Sequence, residues 1–357
     1  MRAFVTGFPG FLGTSLVERL VADGRSVTCL VQPRYADRAV TRAEAIRDRS
    51  GSGDGVIELV TGDLTEPELG LAAPEEAAAG TDEVFHLAAV YELGMARDVG
   101  LAVNVEGTRR VLDFAQAADA RRLHYVSTCY VSGRHGGVFG PDDLRVGQSF
   151  RNHYEETKFL AEAAVRERMA EGLPATIYRP SIVVGDSRTG ETHKTDGPYY
   201  LLELVRHQPL GAVVPVQPGG GYTMDVVPRD FVVDAIATLA DRDASTGEVY
   251  QLCNPDPPTV REIVRLFGAA LDRRVVTVPV PHRATRRVLE AVPRLSAWLG
   301  VEPAAIDYLG DSTEYVRPNT AAALAGTDVA CPPFASYVDS LVAYVADHPN
   351  LTDGAMV

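Results

Sequence analysis

The chain has 357 residues, 46% hydrophobic and 23% charged, so it is able to bury a large core as one elaborated domain or two small ones, and disorder is not its expected state. Its net charge of -14 and pI near 5.0 exclude nucleic acid and anionic membrane as favoured partners, because both carry the same sign. Four widely spaced cysteines, Cys29, Cys129, Cys253 and Cys331, make neither a CxxC pair nor a disulfide scaffold, no metal is expected, and no apolar run approaches the roughly 18 residues of a spanning helix, so a soluble cytoplasmic protein is expected.

From the N-terminus, short apolar runs alternate with longer amphipathic ones. Strands are expected at Ala3–Thr6, Val27–Val31, Val56–Val60, Val84–Ala88 and Leu123–Ser127, with helices at Phe11–Ala22 and Arg97–Ala118. A helix from Tyr154 to Met169 and a strand at Ala175–Tyr178 continue the rhythm. This βαβ alternation predicts an α/β Rossmann fold, a doubly wound parallel sheet with helices on both faces. Beyond Gly185 the rhythm gives way to a loop rich in Gly, Thr and Asp and then to short Pro-punctuated elements, with helices expected near Pro228–Ala240, Thr259–Leu271 and Phe334–Ala346. Two short strands, Asp225–Val227 and Tyr250–Leu252, are expected to return to the first sheet. The division that follows is a dinucleotide-binding core of residues 1–184 plus 224–255 and a smaller mixed substrate-binding subdomain of 185–223 plus 256–357.

Directly after the first strand, Thr6-Gly7-Phe8-Pro9-Gly10-Phe11-Leu12-Gly13 opens the first helix. Its glycines fall where the backbone must turn tightly and approach a pyrophosphate, and the helix N-terminus then faces the anion. The second strand ends in Val31-Gln32-Pro33-Arg34, without the carboxylate that accepts from a ribose hydroxyl in NAD-binding proteins. Arg34, with Arg38 as a second cation, is suited to a 2′-phosphate, so NADPH is expected ahead of NADH. Asp63 and Leu64 after the third strand, and Ala88 and Ala89 after the fourth, lie at strand ends where an open α/β sheet binds its ligand.

Tyr154 and Lys158 are four apart at the start of a helix and share one face, so the ammonium lies near the phenol and favours its ionised form. Thr128, just past the fifth strand, is placed to hold a carbonyl oxygen while Tyr154 donates a proton, with Ser127 as the alternative. Asn104 stands either to brace a water leading to Lys158 or to satisfy backbone groups.

In this order, TGFPGFLG, GDL, HLAA, NVEGT, VSTCYVSG, YEETK and RPSIVVG resemble the extended short-chain dehydrogenase/reductases over nearly the whole chain. HLAAVYELG, GDSRTGETHKTDGPYYLLELVR and VVPRDFVVDAI are most similar to the reductase domains of bacterial fatty acyl-CoA reductases and of the thioester reductases that release carrier-bound acyl chains. The resemblance implies Thr128, Tyr154 and Lys158 as a catalytic triad supported by Asn104. It further implies Gly7, Pro9, Gly10, Phe11, Leu12 and Gly13 at the pyrophosphate, Asp63 and Leu64 near adenine, and Pro180, Ile182 and Val183 beside nicotinamide. Many relatives carry arginine where this chain has Gln32. No adenylation or carrier segment is expected ahead of Met1, so the acyl group is expected to arrive already activated on CoA or an acyl carrier protein, or the substrate is an aldehyde or ketone. Cys129 and Tyr130 stand where dehydratases of the superfamily place an acid pair, which disfavours dehydration; sugar epimerisation and oxidation of a steroid-like hydroxyl remain alternatives. Retention of Tyr154 and Lys158 disfavours a non-catalytic dinucleotide sensor. A final anomaly is basic: Asp272 to Ser296 holds Arg273, Arg274, Arg283, Arg286, Arg287 and Arg294 against Asp272 and Glu290, with Val288, Leu289, Val292, Leu295 and Trp298 at helical spacing.

Overall fold

The computed structural model describes residues 1–50, 56–92, 94–208, 211–219, 222–292, 294, 306, 308, 313–349 and 351. Strands β1 (Arg2–Thr6), β2 (Ser26–Val31), β3 (Ile57–Thr61), β4 (Glu83–His86), β5 (Arg122–Val126), β7 (Ala175–Pro180) and β11 (Val249–Leu252) build one sheet of seven in the order β11-β7-β5-β4-β1-β2-β3, parallel throughout. β1, β4, β5 and β7 are buried on almost every residue, as a sheet covered on both faces requires. Three further pairs lie outside it: β6 (Gly137–Phe139) with β13 (Thr313–Tyr315), β8 (Ile182–Val184) with β10 (Val226–Pro228), and β9 (Ala212–Val216) with β12 (Val275–Pro279).

Among the helices, α1 (Phe11–Ala22), α2 (Ala36–Ser50) and α8 (Arg229–Ala240) cover one face of the sheet. α3 (Pro74–Ala78), α5 (Gly107–Ala117) and α6 (His153–Ala170) cover the other. The helix expected over Arg97–Ala118 is present with an irregularity. A short α4 (Arg97–Gly100) runs into a π-helical segment, Leu101–Glu106, before α5 begins, and the wider turn buries Asn104. A second apolar cluster joins α7 (Tyr199–His207), β9, α9 (Val260–Ala270) and α12 (Val338–Asp347), with Leu289 of α10 (His282–Ala291) at its edge. α11 (Pro318–Leu324) packs on α8 and β11.

One strand pairing differs from expectation. β11 does return to the sheet beside β7, but β10 does not. The chain leaves the sheet after Pro180, where Ser181 N–H donates to Leu252 and Ile182 N–H already reaches Asp225, so residues 182–184 carry on outward and take β10 as their own partner. Leu295 and Trp298 lie outside the described residues.

Candidate active site

The loop after β1 is shaped by glycines that no other residue replaces without strain. Gly7 adopts φ +96, and a Cβ there would meet the Ala88 nitrogen at 2.9 Å; a Cβ on Gly13 would meet the Gly7 carbonyl oxygen at 2.2 Å. Helix and strand therefore pack backbone to backbone. Gly10 N–H donates to the Gly7 carbonyl at 2.8 Å and caps α1. The amides of Phe11, Leu12 and Gly13 in the first turn have no carbonyl within the helix to meet, and with the helix dipole they form an anion-binding end.

This end opens on a cavity of about 690 Å³. Gly7, Pro9, Gly10, Phe11, Leu12 and Gly13 line it at one side, and Ala88, Ala89 and Leu64 continue its wall past the ends of β4 and β3. Thr128, Tyr154 and Lys158 line the same cavity, as do Pro180, Ile182 and Val183. The sheet explains the convergence: every parallel strand ends on this side, so the residues following β1, β3, β4, β5 and β7 are brought together.

α6 starts at an Asn152 cap whose side chain accepts from Glu155 N–H, and this fixes the first-turn Tyr154 against the end of β5. Burial pushes the Tyr154 phenol well above its ordinary value, with the Thr128 hydroxyl bond acting against that and Cys129, Asp196 and Tyr91 adding to it. The expected lowering by Lys158 does not offset burial, so the phenol is neutral. Lys158 is almost fully buried; its Nζ donates to the Val126 carbonyl at 2.8 Å and lies 4.5 Å from the Tyr125 ring centre. Burial pushes this ammonium down to about 7, with the Glu162 anion acting against it.

Asn104 does not line the cavity, and its side chain is buried beside the loop after β4. Its Oδ1 accepts from Val90 N–H at 2.8 Å, and its Nδ2 donates to the Val90 carbonyl and to Thr157 Oγ1. The amide acts on the loop after β4, the second of the alternatives read from the sequence. His86 completes that end of the strand. Thr108 Oγ1 donates to the Asn104 carbonyl and so accepts from His86 Nε2, while Nδ1 accepts from Thr6 Oγ1 at 2.7 Å. Burial, with Lys158 nearby, pushes His86 down to about 3, so the ring is neutral.

A family model described as male sterility protein matches residues 5–236. The chain belongs to this family. It is an extended short-chain dehydrogenase/reductase, and thus an NAD(P)-dependent oxidoreductase. It is 31% identical over 271 residues to the nonribosomal peptide synthetase FrzA of Cladobotryum sp, covering 71% of this chain and 26% of that protein. With the aldehyde reductase lnaA of Aspergillus flavus the identity is 28% over 280 residues, covering 71% and 26%. The chain thus spans about a quarter of the length of these curated relatives. A solved structure of the terminal R domain from the myxalamid PKS-NRPS biosynthetic pathway superposes with a TM-score of 0.83 at 27% identity, covering 99% of this chain and 92% of that one.

At the far end of the reductase's glycine loop, Gln32 and Tyr35 line the cavity but Arg34 and Asp63 do not. Gln32 Nε2 donates to Asp63 at 3.0 Å, and its Oε1 accepts from Arg34 Nε at 2.9 Å; the exposed Arg34 guanidinium lies 5.0 Å from the Tyr35 ring centre. Asp63 is occupied locally, its other oxygen accepting from Thr65. Asp63, expected near adenine, stands directly behind Gln32 and orients it at the cavity wall.

On the opposite side the wall is apolar and comes from residues that sequence reasoning did not single out. Tyr200, Leu201 and Leu204 of α7, Val213 and Pro215 of β9, and Ala284, Thr285, Val288 and Leu289 of α10 face the cavity. Lys194 and Asp196 were quoted only inside a family-like segment, yet they meet at 3.1 Å on the cavity wall, with Lys194 Nζ 5.0 Å from the Tyr91 ring centre. The acid and base two apart in a Gly- and Thr-rich loop were the available signal. Arg283 and Arg287 are exposed on the outer side of α10, whereas Arg286 pairs with Glu290 and Arg273 donates to the carbonyls of Val205 and Gln208. No helix of the described residues is long and apolar enough to cross a membrane, and they contain no group of three or more side chains able to hold a metal.

Proposed function

We propose that the chain reduces an acyl thioester, carried on CoA or on an acyl carrier protein, to the aldehyde, with NADPH as the hydride source and the alcohol as the product of a second reduction. The observation that carries this reading is the single cavity in which Thr128, Tyr154 and Lys158 stand between a phosphate-binding helix end and an aliphatic wall. The residues present fit the cofactor. Gly7 and Gly13 allow close approach of a pyrophosphate to the amides of α1, Leu64 flanks the adenine end, and Pro180, Ile182 and Val183 flank the nicotinamide end. NADPH is favoured over NADH by the lack of a cavity-facing carboxylate after β2 and by Arg34, whose Nε is tied to Gln32 and whose guanidinium lies over Tyr35, both of them cavity residues. When bound, the cofactor supplies a hydride to the thioester carbonyl carbon.

The protein's own groups manage the charge that this creates. Thr128 and Tyr154 hold the carbonyl oxygen, and the neutral Tyr154 phenol gives it a proton. The hemithioacetal then loses its hydroxyl proton back to Tyr154 as the carbon–sulfur bond breaks, and the thiolate takes up a proton to leave as thiol. In sum, one thioester, one NADPH and one proton give aldehyde, thiol and NADP⁺. Lys158, as an ammonium, lowers the cost of the transient phenolate.

The test is NADPH consumption with acyl-CoA, acyl-pantetheine thioester, aldehyde and ketone compared at equal concentration. Turnover of a thioester with aldehyde release supports the proposal, and turnover of aldehyde or ketone alone replaces it by simple carbonyl reduction, the second reading that likeness to an aldehyde reductase favours.

A further inference from the structure

Three consecutive residues at the end of β5 are each tied to a different turn of α6. Val126 accepts from Lys158 Nζ at 2.8 Å, Ser127 Oγ donates to Glu162 Oε2 at 2.7 Å, and Thr128 bonds Tyr154. Tyr154, Lys158 and Glu162 stand at intervals of four and so occupy one face of the helix. Glu162 is wholly buried, as is its partner Arg179 of β7, which donates Nε to Oε2 at 3.1 Å and a terminal nitrogen to Oε1 at 2.7 Å. Arg166, one turn further along α6, donates to Oε1 at 3.0 Å. Arg179 is itself fixed, donating to the carbonyls of Gly140 and Asp143.

We propose that Glu162, clamped by Arg179 and Ser127, is a positioning residue that keeps Lys158 cationic and holds the end of β5 in register with Tyr154. The inference rests on the proposed role of Lys158. A buried carboxylate paired this fully stays ionised, and it stands one helical turn from a buried ammonium. The other titratable groups that face Lys158 are Tyr154 on its own helix, Tyr125 of β5 and His86 of β4; Glu162 is faced by Ser127, Arg166 and Arg179. His86 is neutral and both tyrosines are neutral phenols, so Glu162 is the anion among them. Through a protein-like effective dielectric, a unit charge at one helical turn shifts a titration by about one to two pH units.

The experiment follows two readouts against pH in the parent protein, Glu162→Gln and Glu162→Asp. One is turnover of the thioester or aldehyde reduced by the parent. The other is modification of the Lys158 amine by trinitrobenzenesulfonate, read by mass spectrometry without turnover. Activity that needs the ammonium is lost as pH rises through the Lys158 titration. In Glu162→Gln both midpoints should fall by about one to two pH units, a 10- to 100-fold loss at a fixed alkaline pH, while Glu162→Asp should keep them within a few tenths. A Gln variant that is slower at every pH with unmoved midpoints overturns the proposal and leaves Glu162 a packing residue. If Glu162→Gln alone does not fold, Arg179→Met keeps the carboxylate with Arg166 and Ser127 and removes a cation that opposes it, so both midpoints must rise, and unmoved midpoints overturn the proposal. Loss of turnover on all acyl substrates in the parent would sink the proposed function, whereas the labelling midpoint still decides the role of Glu162.

Discussion

In the proposed reaction Tyr154 donates through a phenol that burial keeps neutral, and its single oxygen is the proton store of that step. Tyr154→Phe deletes that oxygen and leaves the glycine loop and Lys158 in place. Turnover should fall by at least ~100-fold, the scale of a lost general acid, while fluorescence titration should find NADPH binding nearly unchanged; a parent-like rate would refute the role. At the adenosine end, Arg34 is held in place by Gln32 Oε1 and Tyr35 rather than by an acid. NADPH should bind more tightly than NADH, and Arg34→Ala should narrow the gap by about tenfold, the scale of one charge-assisted phosphate contact. Equal affinities in the parent, measured by calorimetry, would remove Arg34 from the cofactor site.

Among the elements, α10 turns Thr285, Val288 and Leu289 toward the cavity and leaves Arg283 and Arg287 in solvent. We propose that in an acidic protein these cations guide an anionic carrier to the cavity. Replacing Arg283, Arg286 and Arg287 by Ser should raise KM for an acyl thioester several-fold, with little change for a free aldehyde, and should flatten the dependence of thioester KM on salt. Equal effects on both substrates would make this helix face merely solvated. The same helix shows what sequence reading reached: the apolar stripe was visible at 288–292, but nothing in one amphipathic segment says which cavity it walls. α1 and β1 were legible almost to the residue, because a glycine turn between a strand and an amphipathic helix is a local signal. α2 was missed, since its buried face is Ala39, Ala43 and Ile46, and alanine carries little periodic contrast. For Asn104 the sequence left two roles open, because the π-helical turn that aims its side chain at Val90 depends on packing beyond sequence range. Glu162 had the same four-residue spacing as Tyr154 and Lys158, but its meaning needs Arg179 from a strand that follows in the chain.

At the scale of the whole molecule, the end of the sheet opposite the cavity is held by a buried charge network. Glu83 pairs with Arg25 and Arg121 and lies 3.4 Å from His124 Nε2, and Arg25 also meets Asp241. Burial alone would push the Glu83 carboxyl up, but the His124 bond and the two guanidiniums hold it down at about 2. Glu83→Gln leaves Arg25 short of one partner in the interior and should cost about 3 kcal/mol, seen as a Tm lower by several degrees. A group whose pKa is depressed on folding stabilises above its usual value of 4.5 and loses that contribution as pH falls toward 2, so the gap between variant and parent should narrow in acid. An unchanged gap from pH 7 to pH 3 would mean that the network contributes through shape alone.

The late arrival of β11 has a consequence for how the chain is made. β7 is complete at Pro180, yet its outer neighbour begins only at Val249, after the whole excursion through α7, β9 and β10. During synthesis, the row of unpaired amides and carbonyls on β7 therefore emerges well before the strand that covers it, and an open edge of that kind invites pairing with another nascent chain. A fragment stopped at residue 184 carries this exposed edge permanently, whereas one extended to residue 255 carries its own cover. The sheet is thus indivisible at the point where the sequence rhythm first breaks, because the edge left by its N-terminal half is covered by a strand translated some seventy residues later.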